Sequence, residues 1–583
     1  MTAPARDTAP ARDTAPARGA GARDTAATAA TAAADLRDLI GTGRTALGIE
    51  LGSTRIKACL VAADDPASVL AVGSHEWENE FVDRRWTYSL DAVWAGIRAA
   101  YADLVAAVER ASGVRPDRFG AIGVSAMMHG YLALDEDDEL LVPFRTWRNT
   151  STGPAAAELT ERFGLNIPLR WSIAHLYQAV LDEEPHVGRI RSLTTLAGYV
   201  HARLTGRSVL GVGDASGMFP IDAATGGYDA ELLARFDDLV ADRVPGLRVA
   251  DLLPEVLPAG APAGELTPDG ARLLDPSGVL QSGVPLCPPE GDAGTGMVAT
   301  NAVAPRTGNV SAGTSIFAMV VLERPLARAH EEVDLVTTPA GDPVAMVHCN
   351  NGASELAAWA GVFARFAELV TAGRSGRADA AGGASEPEEP TAARGAADEV
   401  FEILFREALE GEPDAGGLVA YNTLAGEPIA ALAEGRPMVV RTPDSRLTLA
   451  NVMRAQLYGV YGTLALGMQV LAHEGVTLDR MYAHGGIFRT AGVAQRFLAG
   501  ALDAPVAVGD TASEGGAWGI AVLAAYLSAQ PGTTLTEYLA DRVFADSEFV
   551  TVEPDSADVA GFAAYLERYR AGLAAEAAAV DAL

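Results

Sequence analysis

The chain has 583 residues, and at roughly 150 residues per domain this length predicts two to four domains. Its 44 basic and 76 acidic residues leave a net charge of −32, which argues against nucleic acid or an anionic membrane as a partner. Lys57 is the one lysine of the sequence, and it lies between Ile56 and Ala58, which excludes a Walker A phosphate loop. Because the overall charge is strongly negative, an anionic ligand has to be bound by a local group of hydrogen-bond donors or positive charges.

The spacing of the cysteines and the length of the apolar segments indicate the cellular compartment in which the protein is expected. Cys59, Cys287 and Cys349 lie far apart without C-x-x-C spacing, as is usual in a reducing compartment with no disulfide framework. No apolar run approaches the ~20 residues that cross a bilayer, and the N-terminus has no apolar signal segment. We therefore expect a cytoplasmic protein without a membrane partner.

Two low-complexity segments frame the predicted folded regions. The segment 1–44 opens with a tandem Thr-Ala-Pro-Ala-Arg-Asp repeat that offers no large apolar residue to bury, and 373–396 is rich in Gly, Ala, Glu, Pro and Arg. Both are predicted to be disordered. The remaining boundaries predict an N-terminal domain over 45–302, a C-terminal domain over 303–545 and a helical extension over 546–583.

The first half begins with a predicted β-hairpin, because apolar runs at 46–51 and 56–62 flank a Gly-Ser-Thr turn. Ser89 is the expected N-cap of a helix to about residue 111, and 121–126 reads as a buried strand.

The second half repeats the strand, turn and strand pattern over 307–321. A long amphipathic helix is predicted from about Thr448 to His473, followed by a strand over 480–483. The two halves predict two α/β domains that meet near residue 300.

Two motifs have the composition of phosphate-binding turns. In Gly48-Ile-Glu-Leu-Gly-Ser-Thr-Arg-Ile-Lys57, a strand delivers Glu50 to the lip of a turn whose backbone and hydroxyl groups can face phosphate oxygens. The Glu50 carboxylate can hold Mg²⁺, directly or through water. An ordinary hairpin with polar turn residues is the alternative. Gly308-Asn-Val-Ser-Ala-Gly-Thr-Ser315 repeats the device, and two such turns across a cleft would clamp a triphosphate.

A third motif, Pro289-Glu-Gly-Asp-Ala-Gly-Thr-Gly296, places a carboxylate at a strand end beside glycines. Asp292 is there well placed to accept a proton from an alcohol. The alternative is that Asp292 caps the helix that follows.

The remaining motifs offer groups for a polyol and a base. After the strand ending at Ala126, His129 can hydrogen-bond a hydroxyl group and Trp147 can pack on a carbon face, although a lone histidine is more often structural. The glycines of His484-Gly-Gly-Ile-Phe-Arg489 and of 511–517 would let a flat base lie against the backbone, or serve as helix caps.

The order and spacing of these motifs, with Gly213-Asp-Ala-Ser-Gly217, resemble the FGGY carbohydrate kinases from about residue 47 to 527. The resemblance implies an α/β, actin-like (ribonuclease H-like) fold of two domains with an interdomain cleft. It also implies roles for individual residues: Gly52, Ser53 and Thr54 form a first phosphate turn, and Gly313, Thr314 and Ser315 form a second. Gly485 and Gly486 contact the adenosine, and Asp292 is the catalytic base. Met128, His129 and Gly130 contact the sugar. Lys57 is added as an ATP contact, unless its strand position points it away from the cleft.

The resemblance implies an ATP- and Mg²⁺-dependent kinase that phosphorylates a primary hydroxyl of a ketopentose, xylulose or L-ribulose. Glu50 stands where the family usually has Asp, and Trp-Arg-Asn149 replaces a xylulokinase-like Trp-Asn-Asp, which leaves the sugar open. The alternatives are a sugar or nucleotide sensor without catalysis, and a chaperone-like or actin-like ATPase. The oligomeric state is open, with a homodimer among the options.

Overall fold

The structure is a computed structural model that describes residues 34–379, 390–509 and 515–582. Its strands are β1 (Thr45–Leu51), β2 (Arg55–Ala62), β3 (Val69–Glu76), β4 (Glu80–Val82), β5 (Arg85–Thr87), β6 (Ala121–Ala126), β7 (Leu132–Leu134), β8 (Ser192–Thr194), β9 (Val209–Gly211), β10 (Glu255–Leu257), β11 (Glu290–Gly291), β12 (Thr307–Ala312), β13 (Ile316–Val321), β14 (Asp334–Thr337), β15 (Pro343–Cys349), β16 (Val419–Tyr421), β17 (Met438–Val440), β18 (Arg480–His484), β19 (Val506–Gly509) and β20 (Phe549–Val552).

The α-helices alternate with these strands. They are α1 (34–42), α2 (Leu90–Ser112), α3 (Gly153–Phe163), α4 (Ser172–Leu181), α5 (Leu196–Thr205), α6 (Val212–Ala215), α7 (Ala230–Val240), α8 (Pro268–Leu274), α9 (Asp292–Ala299), α10 (Ser354–Asp379), α11 (Pro390–Glu407), α12 (Leu449–His473), α13 (Val493–Leu502), α14 (Gly515–Tyr526), α15 (Leu535–Tyr538) and α16 (Ser556–Ala582). No helix among the described residues is long and apolar enough to cross a membrane.

The first sheet has the strand order β11-β6-β1-β2-β3. Strands β1 and β2 form the predicted antiparallel hairpin, while β6 runs parallel to β1 and β11 parallel to β6. Because parallel strands end at the same sheet edge, the segments that follow β1, β6 and β11 come together there. These segments begin at Gly52, Met127 and Asp292, so three of the sequence motifs meet at one edge.

The second sheet repeats this arrangement in the order β14-β15-β13-β12-β18-β19-β20. Strands β12 and β13 form an antiparallel hairpin, and β18 runs parallel to β12. The turn after β12 and the glycines after β18 are therefore neighbours. Gly485 has a φ of +118°, and a Cβ atom there would lie 2.1 Å from the Ala312 carbonyl oxygen. The close approach of the two turns therefore requires glycine at position 485.

The two predicted long helices and the predicted Ser89 cap are confirmed, and the structure adds a cap at Thr448. In α2 the Ala92 N–H donates to the Ser89 hydroxyl oxygen at 3.2 Å. In α12 the Asn451 N–H donates to the Thr448 hydroxyl oxygen at 3.1 Å. The two predicted α/β units are thus each built on one sheet.

Helix α14 crosses from the second half of the chain onto the first sheet. A Cβ atom at Gly48 would lie 2.2 Å from the Ala517 carbonyl oxygen, and one at Gly123 would lie 2.7 Å from the Ile520 side chain. The Trp518 indole N–H donates to the Pro66 carbonyl at 2.8 Å. Part of the predicted C-terminal domain therefore packs directly against the N-terminal sheet.

The predicted disordered segments need correction within the described residues. Residues 34–42 of the predicted tail form α1, which buries Ile40 and is tied to α2 by the Arg37 guanidinium at 3.1 Å from the Ser112 carbonyl. In the predicted insertion 373–396, α10 continues to Asp379 and α11 starts at Pro390. In α1 the residues Leu36 and Ile40, four positions apart, share one helix face and pack against the first core, which the repeat-rich composition of the tail did not indicate. Residues 1–33 and 380–389 lie outside the described residues.

The predicted helical extension 546–583 is a structural part of the second domain. Its first part is β20, which pairs antiparallel with β19 at the edge of the second sheet. Helix α16 follows and buries Tyr565 and Tyr569 against α12. This segment also contacts β16, because the Tyr565 hydroxyl donates to the Ala420 carbonyl at 3.0 Å and the Tyr421 hydroxyl donates to the Tyr569 carbonyl at 2.8 Å, so it is part of the second core.

Candidate active site

A cavity of about 320 Å³, here called the central cavity, lies between the edges of the two sheets. It is lined by Glu50, Ser53, Met128, His129, Trp147, Arg170, Asp292, Ala293, Gly296, Ala299, Thr300, Asn309, Ser311, Ser315, Phe317, Met346, His348, His484, Gly515 and Gly516. The turns of the first sheet and the turns of the second sheet thus face one space, and every sequence motif except Gly213-Asp-Ala-Ser-Gly217 contributes residues to it.

Asp292 lies at the junction of β11 and α9. Its Oδ1 accepts a hydrogen bond from the Met128 N–H at 3.0 Å, and the N-cap of α9 is Gly291 rather than Asp292. Burial raises the pKa of Asp292 above its usual range, and the backbone N–H groups around it oppose that rise. A buried carboxylate held by a backbone donor is suited to accept a proton from a bound hydroxyl group.

Two aromatic residues hold the turn between β1 and β2 by hydrogen bonds to its carbonyl groups. The Gly52 N–H donates to the Arg55 carbonyl at 3.0 Å, and the Trp77 indole N–H donates to the Gly52 carbonyl at 2.7 Å. The Tyr88 hydroxyl donates to the Ser53 carbonyl at 2.6 Å. The carbonyls of the turn are thereby engaged on the protein side, and Ser53 lines the central cavity.

Glu50 lines the same cavity and reaches the start of α14. Its Oε2 accepts the Ala517 N–H at 3.1 Å. Burial and then the charge of Asp292 raise the pKa of Glu50 to about 7, and Lys57, opposite it in the β1–β2 register, lowers it. Lys57 is not among the residues that line the cavity.

The turn between β12 and β13 is also held by backbone hydrogen bonds. The Gly313 N–H donates to the Ser315 carbonyl at 2.9 Å, and the Gly352 N–H donates to the Thr314 carbonyl at 2.8 Å. Ser315 lines the central cavity. Gly313 lines a second space of about 630 Å³, here called the side cavity.

The side cavity is bounded by the two turns of the second sheet and by α10 and α11. Its lining residues are Ala312, Gly313, Ala353, Leu356, Ala357, Phe401, Glu402, Arg406, Gly486, Ile487, Arg489, Thr490 and Ala491. The turn after β12 contributes Ser315 to the central cavity and Gly313 to the side cavity, while the end of β18 contributes His484 to the central cavity and the turn after it contributes Gly486 to the side cavity.

His129 is buried in a left-handed backbone conformation, with φ of +69°. Its Nδ1 lies 3.2 Å from the Gly217 carbonyl. A carbonyl only accepts, so Nδ1 carries the proton and Nε2 is an acceptor, and Nε2 has no partner within the described residues. Burial and then Arg170 hold the pKa of His129 well below its usual range, so the ring is neutral.

Gly217 also explains the Gly213-Asp-Ala-Ser-Gly217 segment. A Cβ atom at Gly217 would lie 2.5 Å from the His129 Nδ1, so glycine is needed for the imidazole to sit there. At the other end of the segment, the N–H groups of Gly213 and Asp214 donate to the Glu290 carboxylate at 3.3 and 2.9 Å. The segment therefore supports both His129 and the strand that carries Asp292.

Several predicted residues do not line the central cavity, namely Gly52, Thr54, Lys57, Gly130, Gly313, Thr314, Gly485 and Gly486, although Gly313 and Gly486 line the side cavity. Of the predicted base-contacting segment 511–517, residues 511–514 lie outside the described residues, while Gly515 and Gly516 line the cavity.

Sequence reasoning missed Arg170, His348 and Asn309, and gave no role to His484. The guanidinium of Arg170 donates to Asp334, and the Asn166 side-chain amide donates to the same carboxylate at 3.1 Å. Arg170 and His348 lie outside every quoted motif, and Asn309 and His484 lie within motifs that were read for their glycines and hydroxyl groups, so only the fold shows that these four side chains share the cavity.

The sequence profile of the FGGY family of carbohydrate kinases, N-terminal domain, matches residues 45–298, and that of the C-terminal domain matches residues 308–528. The chain belongs to the FGGY family of carbohydrate kinases. This confirms the family resemblance, and with it the α/β, actin-like architecture of two domains and a cleft.

Curated relatives of this FGGY protein include the xylulose kinase of Lactococcus lactis, 22% identical over 207 residues, which are 33% of this chain and 39% of that protein. The xylulose kinase of Streptomyces coelicolor is 28% identical over 218 residues, or 35% of this chain and 41% of that protein. The alignments thus span about two fifths of each curated relative.

Solved structures match nearly the whole chain. The xylulose kinase from Rhodospirillum rubrum has a TM-score of 0.68 at 21% identity, covering 91% of this chain and 99% of that one. The gluconate kinase from Lactobacillus acidophilus has a TM-score of 0.71 at 17% identity, with the same coverage. These likenesses concern the fold.

Proposed function

We propose that this FGGY protein transfers the γ-phosphoryl group of ATP to a primary hydroxyl of a ketopentose, xylulose or L-ribulose. The observation that carries the proposal is that the segments at the ends of β12 and β18 each line both cavities, through Gly313 and Ser315 and through His484 and Gly486. A ligand with its base in the side cavity would extend its phosphates past Gly313 and Ser315 toward Asp292. The two xylulose kinases among the curated relatives favour a ketopentose as the acceptor.

Asp292 is the proposed general base. It would take the proton of the attacking hydroxyl while the phosphoryl group moves to the sugar oxygen. Since phosphoryl transfer has a loose transition state, positioning and charge neutralisation contribute most of the rate. The backbone turns at Ser53 and Ser315 would supply neutral donors to the phosphates, which suits a chain of net charge −32.

The sugar would lie on the first-domain wall of the central cavity. The Nε2 of His129 can accept from one hydroxyl, the guanidinium of Arg170 can donate to another, and the ring of Trp147 can cover a carbon face. These groups leave the end of the sugar nearest Asp292 as the phosphorylated end. Closure of the cleft around the sugar would exclude water that could otherwise accept the phosphoryl group.

The site also fits Mg²⁺ bound with the nucleotide. Among the described residues no group of three or more His, Cys, Asp or Glu side chains is arranged to hold a metal ion alone. A lone Glu50 carboxylate suits Mg²⁺, which keeps waters and binds through one or two carboxylates and substrate phosphates. When bound, the ion would neutralise charge on the phosphates.

The test is a coupled assay for ADP release with D-xylulose, L-ribulose, D-ribulose and glycerol. We expect one ketopentose to give the highest kcat/KM. Asp292→Asn should lower kcat at least about a hundredfold while nucleotide binding persists. Asp269→Asn, at an exposed position of α8, is the matched control and should leave kcat unchanged. Sugar binding without ADP release in the wild type would instead support a sensor, and full turnover by Asp292→Asn would remove Asp292 from the base role.

A further inference from the structure

His484 occupies the junction between the two cavities. It is the last residue of β18 and lies level with Ser311 of β12 in the parallel register. It lines the central cavity, whereas Gly486, two residues later, lines the side cavity. A ligand that extends from the side cavity to Asp292 therefore passes this imidazole.

The imidazole of His484 has no polar partner in the part of the chain that the structure describes. Its Nε2 is buried without a hydrogen bond. Burial alone lowers the pKa of His484 to about 4, and no carboxylate contributes to the shift. By contrast, the Nδ1 of His129 is fixed by the Gly217 carbonyl. A neutral imidazole without a partner can turn a nitrogen toward a ligand in the cavity. Buried polar groups usually have a hydrogen-bond partner, so a buried nitrogen without one indicates a place where a ligand can bind.

The chemistry of the ligand at this point follows from what must cross it. If the base occupies the side cavity and the acceptor hydroxyl lies at Asp292, the part of ATP between them is the triphosphate. Phosphate oxygens only accept, and a neutral imidazole carries one N–H donor. The neighbouring carboxylates Glu50 and Asp292 cannot donate when ionised, so a donor on the opposite wall is useful here.

We propose that His484 donates a hydrogen bond to the triphosphate of the bound nucleotide, between the turn at Gly313 to Ser315 and the turn at Gly485 to Gly486. This rests on the proposed function, since it assumes that a nucleotide spans the two cavities. The role differs from that of His129, which faces the sugar side of the same space.

The experiment measures equilibrium binding of AMP-PNP, ADP and AMP to the full-length protein, together with KM for ATP and for the sugar. His484→Leu and His484→Met remove the donor, while His484→Gln and His484→Asn retain an N–H group. We expect the Leu and Met variants to bind AMP-PNP about tenfold to a hundredfold more weakly, with a matching rise in KM for ATP. AMP affinity and the sugar KM should change less than about twofold, and Gln or Asn should recover most of the loss.

The control is His473→Leu, at an exposed position in the last turn of α12, which should change none of these values. Thermal denaturation identifies a variant that fails to fold, and the second donor-free variant then carries the comparison. An equal loss for AMP, a change in the sugar KM alone, or unchanged AMP-PNP binding in the donor-free variants would each overturn the contact. Wild-type protein that bound no AMP-PNP would instead refute the proposed function.

Discussion

The contact between α14 and α9 makes a sharp prediction about catalysis. A Cβ atom at Gly519 would lie 2.1 Å from the backbone carbonyl oxygen of Thr295 in α9. Carbon and oxygen atoms in ordinary contact are separated by well over 3 Å, so Gly519→Ala must push the two helices apart by about 1 Å or more. The obstacle is backbone, so no side-chain rotation relieves it. Because α9 begins at Asp292, the displacement reaches the proposed base.

A misplacement of about 1 Å at a reacting group can lower the rate about a hundredfold. We therefore expect Gly519→Ala to lower kcat by roughly ten- to a hundredfold in the coupled ADP assay. Overpacking should also destabilise the protein by about 1–3 kcal/mol, measured by the midpoint of thermal or urea denaturation.

The matched control is Gly361→Ala in α10, where a Cβ atom has nothing within 4 Å. It makes the same substitution inside a helix and should leave kcat unchanged while stabilising the helix by up to about 1 kcal/mol. Wild-type kcat and stability in Gly519→Ala would refute the inference that α14 positions Asp292 through this contact. Equal losses in both variants would show that helical glycine itself, rather than the contact, is responsible.

Two further predictions concern stability. The Asp558 carboxylate of α16 accepts a hydrogen bond from the buried Arg454 of α12, so Asp558→Asn should lower the free energy of unfolding in urea by about 3–5 kcal/mol. The control Glu567→Gln removes an exposed ion pair and should lower it by less than about 1 kcal/mol. Similar losses in the two variants would contradict the role of α16 in the core. Burial, and then the charge of Asp214, raises the pKa of Glu290 from 4.5 to about 8. The folded state therefore binds the Glu290 proton more tightly than the unfolded state does. The free energy of unfolding should accordingly fall as the pH rises from about 4.5 to about 8. Glu290→Gln should flatten the fall of the unfolding midpoint between pH 5 and 8, and an unchanged slope would count against the buried proton.

The local elements of the fold follow closely from sequence because their causes are local. The hairpin around Gly52 and the cap at Ser89 depend on alternating apolar residues, a turn sequence and one hydroxyl group. The helix from Leu449 is recognisable from its periodicity and its Thr448 cap. The predictions of disorder were wrong where overall composition was used alone: residues 34–42 and both edges of 373–396 are helical. Polar composition predicts that a segment is exposed better than it predicts that the segment is disordered.

The sequence by itself determined the two repeated β-turn-β units, the place of Asp292 at a strand end and the family, because short motifs in a fixed order encode them. Only the tertiary structure decided which groups share the central cavity. Arg170, His348 and His484 join it from elements distant in sequence, and α14 packs across onto the first sheet. These contacts depend on how sheets and helices are placed in space, and that placement is set by close packing between distant segments, which no local pattern encodes.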